Sequence, residues 1–70
     1  MDIEKLVEKM VIKNILEHGK ANVNSIMKKI FSENPELRKE VKKILEIVNQ
    51  KIKEFENLEI EKIKKIAEDL

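Results

Sequence analysis

The chain has 70 residues, of which 41% are charged, and its formal net charge is only +1. A chain this short forms one domain at most, and folding buries only about 60% of the surface that the unfolded chain exposes. It contains no cysteine, which excludes a disulfide framework and a thiolate metal site, and no apolar run approaches the ~20 residues of a membrane span. We therefore predict a single domain over residues 1–70, and we expect a cytoplasmic protein with no membrane partner.

Charge is spread unevenly along the chain. Residues 18–32 sum to +3, whereas residues 44–70 sum to −2. A domain that binds nucleic acid unaided usually has a more basic balance, so any RNA contact is expected to be weak or supported by a larger protein. The many lysines and glutamates follow the pattern of thermophilic proteins.

The first predicted helix covers residues 2–18. Asp2 is placed to cap its N-terminus, and Gly19 lies where a glycine in the left-handed conformation commonly ends a helix. Apolar residues recur at helical spacing and surround most of the second half of the helix: Ile3, Leu6, Val7, Met10, Val11, Ile12, Ile15 and Leu16. This pattern predicts a helix that is central in its bundle or that faces another domain.

Three further helices are predicted over residues 23–31, 35–56 and 59–69. Asn22 is the expected cap of the second, and Asn34 followed by Pro35 is a strong start signal for the third. The third helix carries one long apolar stripe: Leu37, Val41, Ile44, Leu45, Val48, Ile52 and Phe55. Short connectors favour helices packed side by side, so the fold class is all-α, a small bundle of about four helices.

A catalytic site is difficult to build from these residues. His18 is the only histidine, and Ser25 and Ser32 are the only hydroxyl side chains of the serine and threonine type. Nucleophilic catalysis needs a nucleophile, a base and an orienting group in one cleft, so we predict that the chain has no activity by itself. The carboxylates alternate with lysines on helix surfaces, which favours solvated faces over a metal site.

Asn14 and His18 are four residues apart within the apolar stripe of the first helix. They could form a buried polar pair that faces a ligand. Alternatively, Asn14 could bind the backbone of the turn at Gly19–Asn22, since buried polar groups need a hydrogen-bond partner. We favour the second interpretation.

A local excess of positive charge spans the second helix and the start of the third. Its members are Lys20, Lys28, Lys29, Arg38, Lys39, Lys42 and Lys43. Such residues could neutralise the phosphates of an RNA backbone, or they could be an ordinary thermophile surface, because Glu33, Glu36 and Glu40 lie among them. Phe31 and Phe55 have core spacing, so we expect no aromatic side chain on which an RNA base could stack.

A second apolar surface is suggested by three residues outside the main stripes. Ile47 lies off the stripe of the third helix, and Ile12 and Leu16 widen that of the first. Together they could form a docking site for a neighbouring domain or protein. The competing interpretation is packing between helices inside the bundle.

Four short sequence elements follow one another along the chain. They are Lys13-Asn14, the run HGKAN from His18 to Asn22, the run ENPELRK from Glu33 to Lys39, and Asn57-Leu58. In this order and spacing, residues 11–58 resemble the N-terminal extension of archaeal-type glutamyl-tRNA synthetases. That family usually has a serine N-cap after the asparagine-leucine turn, and Glu59 stands there instead, which weakens the predicted start of the fourth helix.

The resemblance implies that the chain is a fragment of a longer synthetase that uses ATP and Mg²⁺ to join glutamate to tRNA. The HIGH-like and KMSKS-like catalytic signatures of that family are absent here, so the chain would be a non-catalytic accessory domain. Its expected role is auxiliary tRNA contact, with phosphates bound by Lys28, Lys29, Lys39, Lys42 and Lys43. One alternative is a protein-docking module that joins the synthetase to a partner or to its own catalytic domain. Another is a stand-alone helical adaptor.

Overall fold

The computed structural model describes residues 2–70, which form four α-helices and one 3₁₀ segment. In chain order they are α1 Ile3–His18, α2 Val23–Glu33, the 3₁₀ segment Pro35–Glu40, α3 Val41–Glu56 and α4 Ile60–Glu68. Within residues 2–70 there is no β-strand. The all-α prediction is confirmed, and α2 extends two residues beyond its predicted end.

Both ends of α1 form as the sequence predicts. Asp2 Oδ1 accepts a hydrogen bond from the Lys5 backbone N–H at 3.2 Å. At the other end Gly19 adopts φ 78°, and its N–H donates to the Ile15 carbonyl at 2.7 Å. Glycine adopts this left-handed conformation without the steric cost that a Cβ imposes, so the helix ends where glycine stands.

Helix α1 occupies the centre of the bundle and packs against α2, α3 and α4. Val7 and Val11 are fully buried, and Ile12 is 2% exposed. The apolar residues around the second half of α1 must be covered on several sides, which explains the central position. The interpretation of α1 as the central helix is confirmed.

The predicted third helix is divided. Its first six residues, Pro35–Glu40, form the 3₁₀ segment, and α3 begins at Val41. A 3₁₀ helix turns about 120° per residue and an α-helix about 100°, so the two parts present different faces. Leu37 is therefore buried against α2, whereas Val41 is 45% exposed. The continuous stripe predicted through both residues was wrong at this junction.

Asn34 plays a different part from the one predicted. Its side chain makes no capping hydrogen bond to the 3₁₀ segment. Instead its backbone N–H and its Nδ2 both donate to the Ile30 carbonyl, at 2.9 Å and 3.1 Å. Asn34 thus closes the C-terminus of α2, while Pro35 does begin the following segment.

Helix α4 is the most peripheral element. Ile63 is the one residue of α4 that is buried, and the helix packs mainly on α1. Glu59 makes no side-chain capping bond, although its carbonyl accepts from the backbone N–H groups of Lys62 and Ile63. None of the described helices is long and apolar enough to span a bilayer.

Candidate nucleic-acid interface

An open groove runs between α2 and the junction of the 3₁₀ segment with α3. We call it the α2 groove, and its volume is about 640 Å³. Its apolar floor consists of Met27, Phe31 and Val41. Four polar side chains complete the lining: Asn24, Lys28, Ser32 and Arg38.

The rim of the α2 groove is basic and contains no carboxylate. Lys28 and Arg38 stand on it, on opposite sides, and both are exposed. Within residues 2–70, the cations that lie within 4.0 Å of a carboxylate are His18, Lys51 and Lys64. The two rim cations therefore keep their charge available for an anionic ligand.

The remaining members of the predicted basic set divide into two locations. Lys29 lies beside Lys28 on the outer face of α2. Three more members are exposed and follow Arg38 along the 3₁₀ segment and the first turn of α3: Lys39, Lys42 and Lys43. Lys20 stands apart, because it lines a pocket with Glu56 and residues of α4. Six of the seven residues thus belong to neighbouring elements.

Phe31 differs from the expectation that both aromatic residues are restricted to the core. Phe55 is buried, at 5% exposure, as expected. Phe31 is only partly buried, and it packs on the core while also lining the α2 groove. The sequence pattern could not reveal this, because Val23, Met27 and Phe31 share a stripe whose outer edge is left uncovered.

The three predicted docking residues do not all share one surface. Ile12 is 2% exposed and belongs to the core, yet it also lines the groove between α1 and α4 that contains Leu16. Ile47 is half-buried and packs against the core. Leu16 is 39% exposed and lines a groove between α1 and α4, together with Ala67 and Leu70.

A charged cluster between α1 and α3 was missed by sequence reasoning. Lys51 is buried, and its Nζ lies 3.5 Å from Glu4, 3.3 Å from Glu8 and 3.2 Å from Glu54. A signal was present in the sequence. Lys51 follows Ile44 and Val48 at helical spacing and precedes Phe55, so it occupies a core position on α3.

Burial and ion pairing shift the pKa of Lys51 in opposite directions. Burial alone would lower its pKa, but hydrogen bonds with Glu54 and Glu8 and the charges of both carboxylates outweigh that effect. The pKa of Lys51 is therefore raised above its ordinary value of 10.5. The side chain stays charged at neutral pH and joins the first turns of α1 to α3.

Asn14 acts on the turn that follows α1, as predicted. Its Oδ1 accepts a hydrogen bond from the Asn22 backbone N–H at 2.9 Å. Asn22 in turn caps α2, since its Oδ1 accepts from the Ser25 N–H at 3.1 Å. Asn14 therefore fixes the residue that begins α2.

The residues of this chain do not fit a site for ATP and Mg²⁺. Within residues 2–70 no group of three or more histidine, aspartate or glutamate side chains could hold a metal ion. His18 is mostly exposed, and its nearest charged partner is the adjacent Glu17, at 3.9 Å.

Curated relatives agree with the resemblance in the sequence. The chain is 44% identical to a glutamate–tRNA ligase of Pyrococcus furiosus. The alignment has 71 positions and covers 100% of the chain and 12% of the ligase. A glutamate–tRNA ligase of Sulfolobus acidocaldarius is also 44% identical, over 96% of the chain and 12% of the ligase. One of Archaeoglobus fulgidus is 43% identical over 80% of the chain and 10% of the ligase. All three relatives come from thermophilic archaea.

The chain spans only about 12% of the length of these relatives. No protein-family model matches it, and no solved structure matches it either. The match nevertheless includes all four helices and the 3₁₀ segment. The chain is therefore a relative of the archaeal glutamate–tRNA ligases and corresponds, along its whole length, to a domain-sized segment of them.

Proposed function

We propose that this chain is the non-catalytic, N-terminal accessory domain of a glutamyl-tRNA synthetase. The observation that carries the proposal is the similarity of the whole chain to about one eighth of a glutamate–tRNA ligase. The parent protein would attach glutamate to tRNA in the cytoplasm with ATP and Mg²⁺, through domains outside these residues. The cysteine-free, highly charged composition is compatible with that setting.

The domain's contribution is auxiliary contact with the tRNA backbone. Support comes from the basic residues around the α2 groove, because Lys28 and Arg38 have no carboxylate within ion-pairing distance. Lys29, Lys39, Lys42 and Lys43 extend this charge along the adjoining elements. Lysine and arginine bind phosphates by releasing condensed counterions. With a net charge of only +1, the domain binds weakly and relies on the parent enzyme to select the tRNA.

Fluorescence anisotropy of labelled glutamate tRNA, titrated with the 70-residue chain at low and near-physiological salt, tests this contact. A variant with Lys39, Lys42 and Lys43 changed to glutamate is expected to lose most of the affinity. The matched control changes Lys53, Lys62 and Lys65 to glutamate, three exposed lysines on α3 and α4. Both variants have the same net charge, so only the position of the charges differs.

The two triple variants separate a located site from general attraction. Salt-sensitive binding that survives in the control and fails in the first variant supports tRNA contact through the basic face. Equal loss in both variants would mean that the attraction depends on net charge alone. Absence of binding at low salt would remove the tRNA contact from the proposal and leave the family relationship intact.

A second candidate function is docking of the domain onto the catalytic part of the synthetase or onto another protein. The observation in its favour is the groove between α1 and α4, whose apolar lining consists of Ile12, Leu16, Ala67 and Leu70, with Lys9, Lys13 and Glu17 beside them. Apolar contacts of this kind lose little strength as salt rises, unlike phosphate contacts. Calorimetric titration of the chain against the remainder of its parent synthetase tests it, with Leu16→Asp as the variant. Binding that is indifferent to salt and lost in the variant would favour docking.

A further inference from the structure

The α2 groove contains more than phosphate contacts require. Phosphate binding uses only its rim, yet the floor of Met27, Phe31 and Val41 leaves apolar surface open to solvent. Val41, the first residue of α3, is 45% exposed. Open apolar surface beside unpaired cations is typical of a site that binds a ligand with an apolar part and a negatively charged part.

A nucleotide has an apolar part and a negatively charged part. Its base offers an apolar, stackable face, and its phosphates carry the negative charge that Lys28 and Arg38 attract. Ser32 and Asn24 add a hydroxyl and an amide at the groove wall, which can donate to or accept from the edge of a base. The groove volume of about 640 Å³ lies within the range of roughly 300–1,000 Å³ found for ligand clefts.

We infer that the α2 groove binds an unpaired nucleotide of RNA, with its base on Phe31 and its flanking phosphates at Lys28 and Arg38. This inference rests on the proposed tRNA contact and narrows it to a single-stranded part of the molecule. Bases inside an RNA duplex are stacked on their neighbours, so their faces cannot reach a protein side chain. Loops and ends can present theirs to an aromatic ring.

The experiment compares two RNA ligands with the same chain. Labelled single-stranded RNA of mixed sequence and a blunt RNA duplex of equal length are titrated by fluorescence anisotropy, with whole glutamate tRNA as a third ligand. We expect the single strand to bind several-fold more tightly than the duplex. Stacking of one base accounts for about a fivefold difference or more.

Two uncharged variants test the floor of the groove. Phe31→Leu removes the aromatic ring and keeps an apolar side chain against the core, and Val41→Asn makes an exposed part of the floor polar. Phe31→Leu should weaken single-strand binding about fivefold, and Val41→Asn should weaken it as well. Neither should change the duplex affinity or the salt dependence. Ile60→Asn is the matched control, because Ile60 is also the first residue of an α-helix and is also 45% exposed. Circular dichroism melting confirms that each variant is folded.

The outcomes separate this inference from the function on which it rests. Salt-sensitive tRNA binding with full single-strand affinity in Phe31→Leu and Val41→Asn would overturn the nucleotide site and leave the backbone contact standing. Equal affinity for the single strand and the duplex would do the same. Failure of every RNA to bind would overturn both.

Discussion

Lys51 stabilises the bundle at the level of a single residue, because its charged Nζ joins Glu4 and Glu8 of α1 to Glu54 of α3. Removal of one partner from a buried charged contact leaves the other groups without their hydrogen bonds. The carboxylates of Glu4 and Glu54 are more than half exposed, so water compensates part of that loss. The contribution is accordingly smaller than that of a fully buried ion pair.

Lys51→Met is expected to lower the free energy of unfolding by about 1–3 kcal/mol at neutral pH. Since the pKa of Lys51 is raised in the folded state, its stabilising effect is complete below the ordinary value of 10.5 and is lost as pH rises through the folded value. Thermal melting of both proteins from neutral to strongly alkaline pH measures this. The difference in melting temperature between the wild-type protein and Lys51→Met should disappear as the pH rises above 10.5.

The control for Lys51 is Lys53→Met, which removes an exposed lysine from the same helix. It should change stability little, because an exposed charge loses no buried contact. A gap between the wild-type protein and Lys51→Met that persists unchanged at alkaline pH would contradict the role of the charge and indicate packing of the side-chain stem instead.

Asn14→Ala is expected to destabilise the protein by about 0.5–1.5 kcal/mol. The variant loses the hydrogen bond that the Asn22 N–H donates to Asn14 Oδ1, and Asn22 is the residue that caps α2. Urea unfolding measures the difference. Asn49→Ala on the exposed face of α3 is the control and should be neutral or slightly stabilising, because alanine favours helix. Equal stability of the wild-type protein and Asn14→Ala would show that the turn does not need this bond.

At the scale of the elements, α4 is the least secured helix. It has nine residues, of which Ile63 alone is buried, and it packs mainly on α1. Isolated helices shorter than about 12–15 residues are marginal in water, so α4 depends on that single packing surface. Its stability should therefore be lower than that of the central helix.

Amide hydrogen exchange should show this order directly. Backbone N–H groups of α4 are expected to exchange faster than those around Val7 and Val11 in α1, because local opening of α4 exposes little of the core. Ile63→Ala should accelerate exchange in α4 further while α1 keeps most of its protection. Equal protection of α1 and α4 would mean that the bundle opens only as one cooperative unit.

At the scale of the whole molecule, the net charge of +1 conceals the basic rim that Lys28 and Arg38 form on the α2 groove. Each phosphate that a protein neutralises contributes about 0.7–0.9 to the slope of log affinity against log salt. The variant with Lys28 and Arg38 both changed to glutamine should therefore reduce that slope by about 1.5 for tRNA binding. Titrations at several salt concentrations give the slope.

The matched control changes Lys62 and Lys65 on α4 to glutamine. Both are exposed and lie outside the α2 groove, and the charge change is the same. The control should keep the wild-type slope. Identical slopes in the two double variants would place the phosphate contacts away from the α2 groove.

Local sequence determined both ends of α1, the start of α2 and the fold class of this protein. Asp2, Asn22 and Gly19 act within three or four residues of their own positions, and such short-range hydrogen bonds can be read from spacing alone. The apolar residues around the second half of α1 likewise favoured a central place in the bundle.

Tertiary structure decided which of the apolar and charged residues are exposed. Whether Ile12 is buried, Phe31 partly uncovered and Lys51 enclosed depends on which helix lies against each face, and those helices are distant in sequence. The change from 3₁₀ to α geometry at Val41 also changes which side of the helix the following residues face. No capping residue in the sequence signals this change. The helix that contains a residue determines the direction of its side chain. Only the packing of the other helices determines whether that side chain contacts the core, a charged partner or solvent.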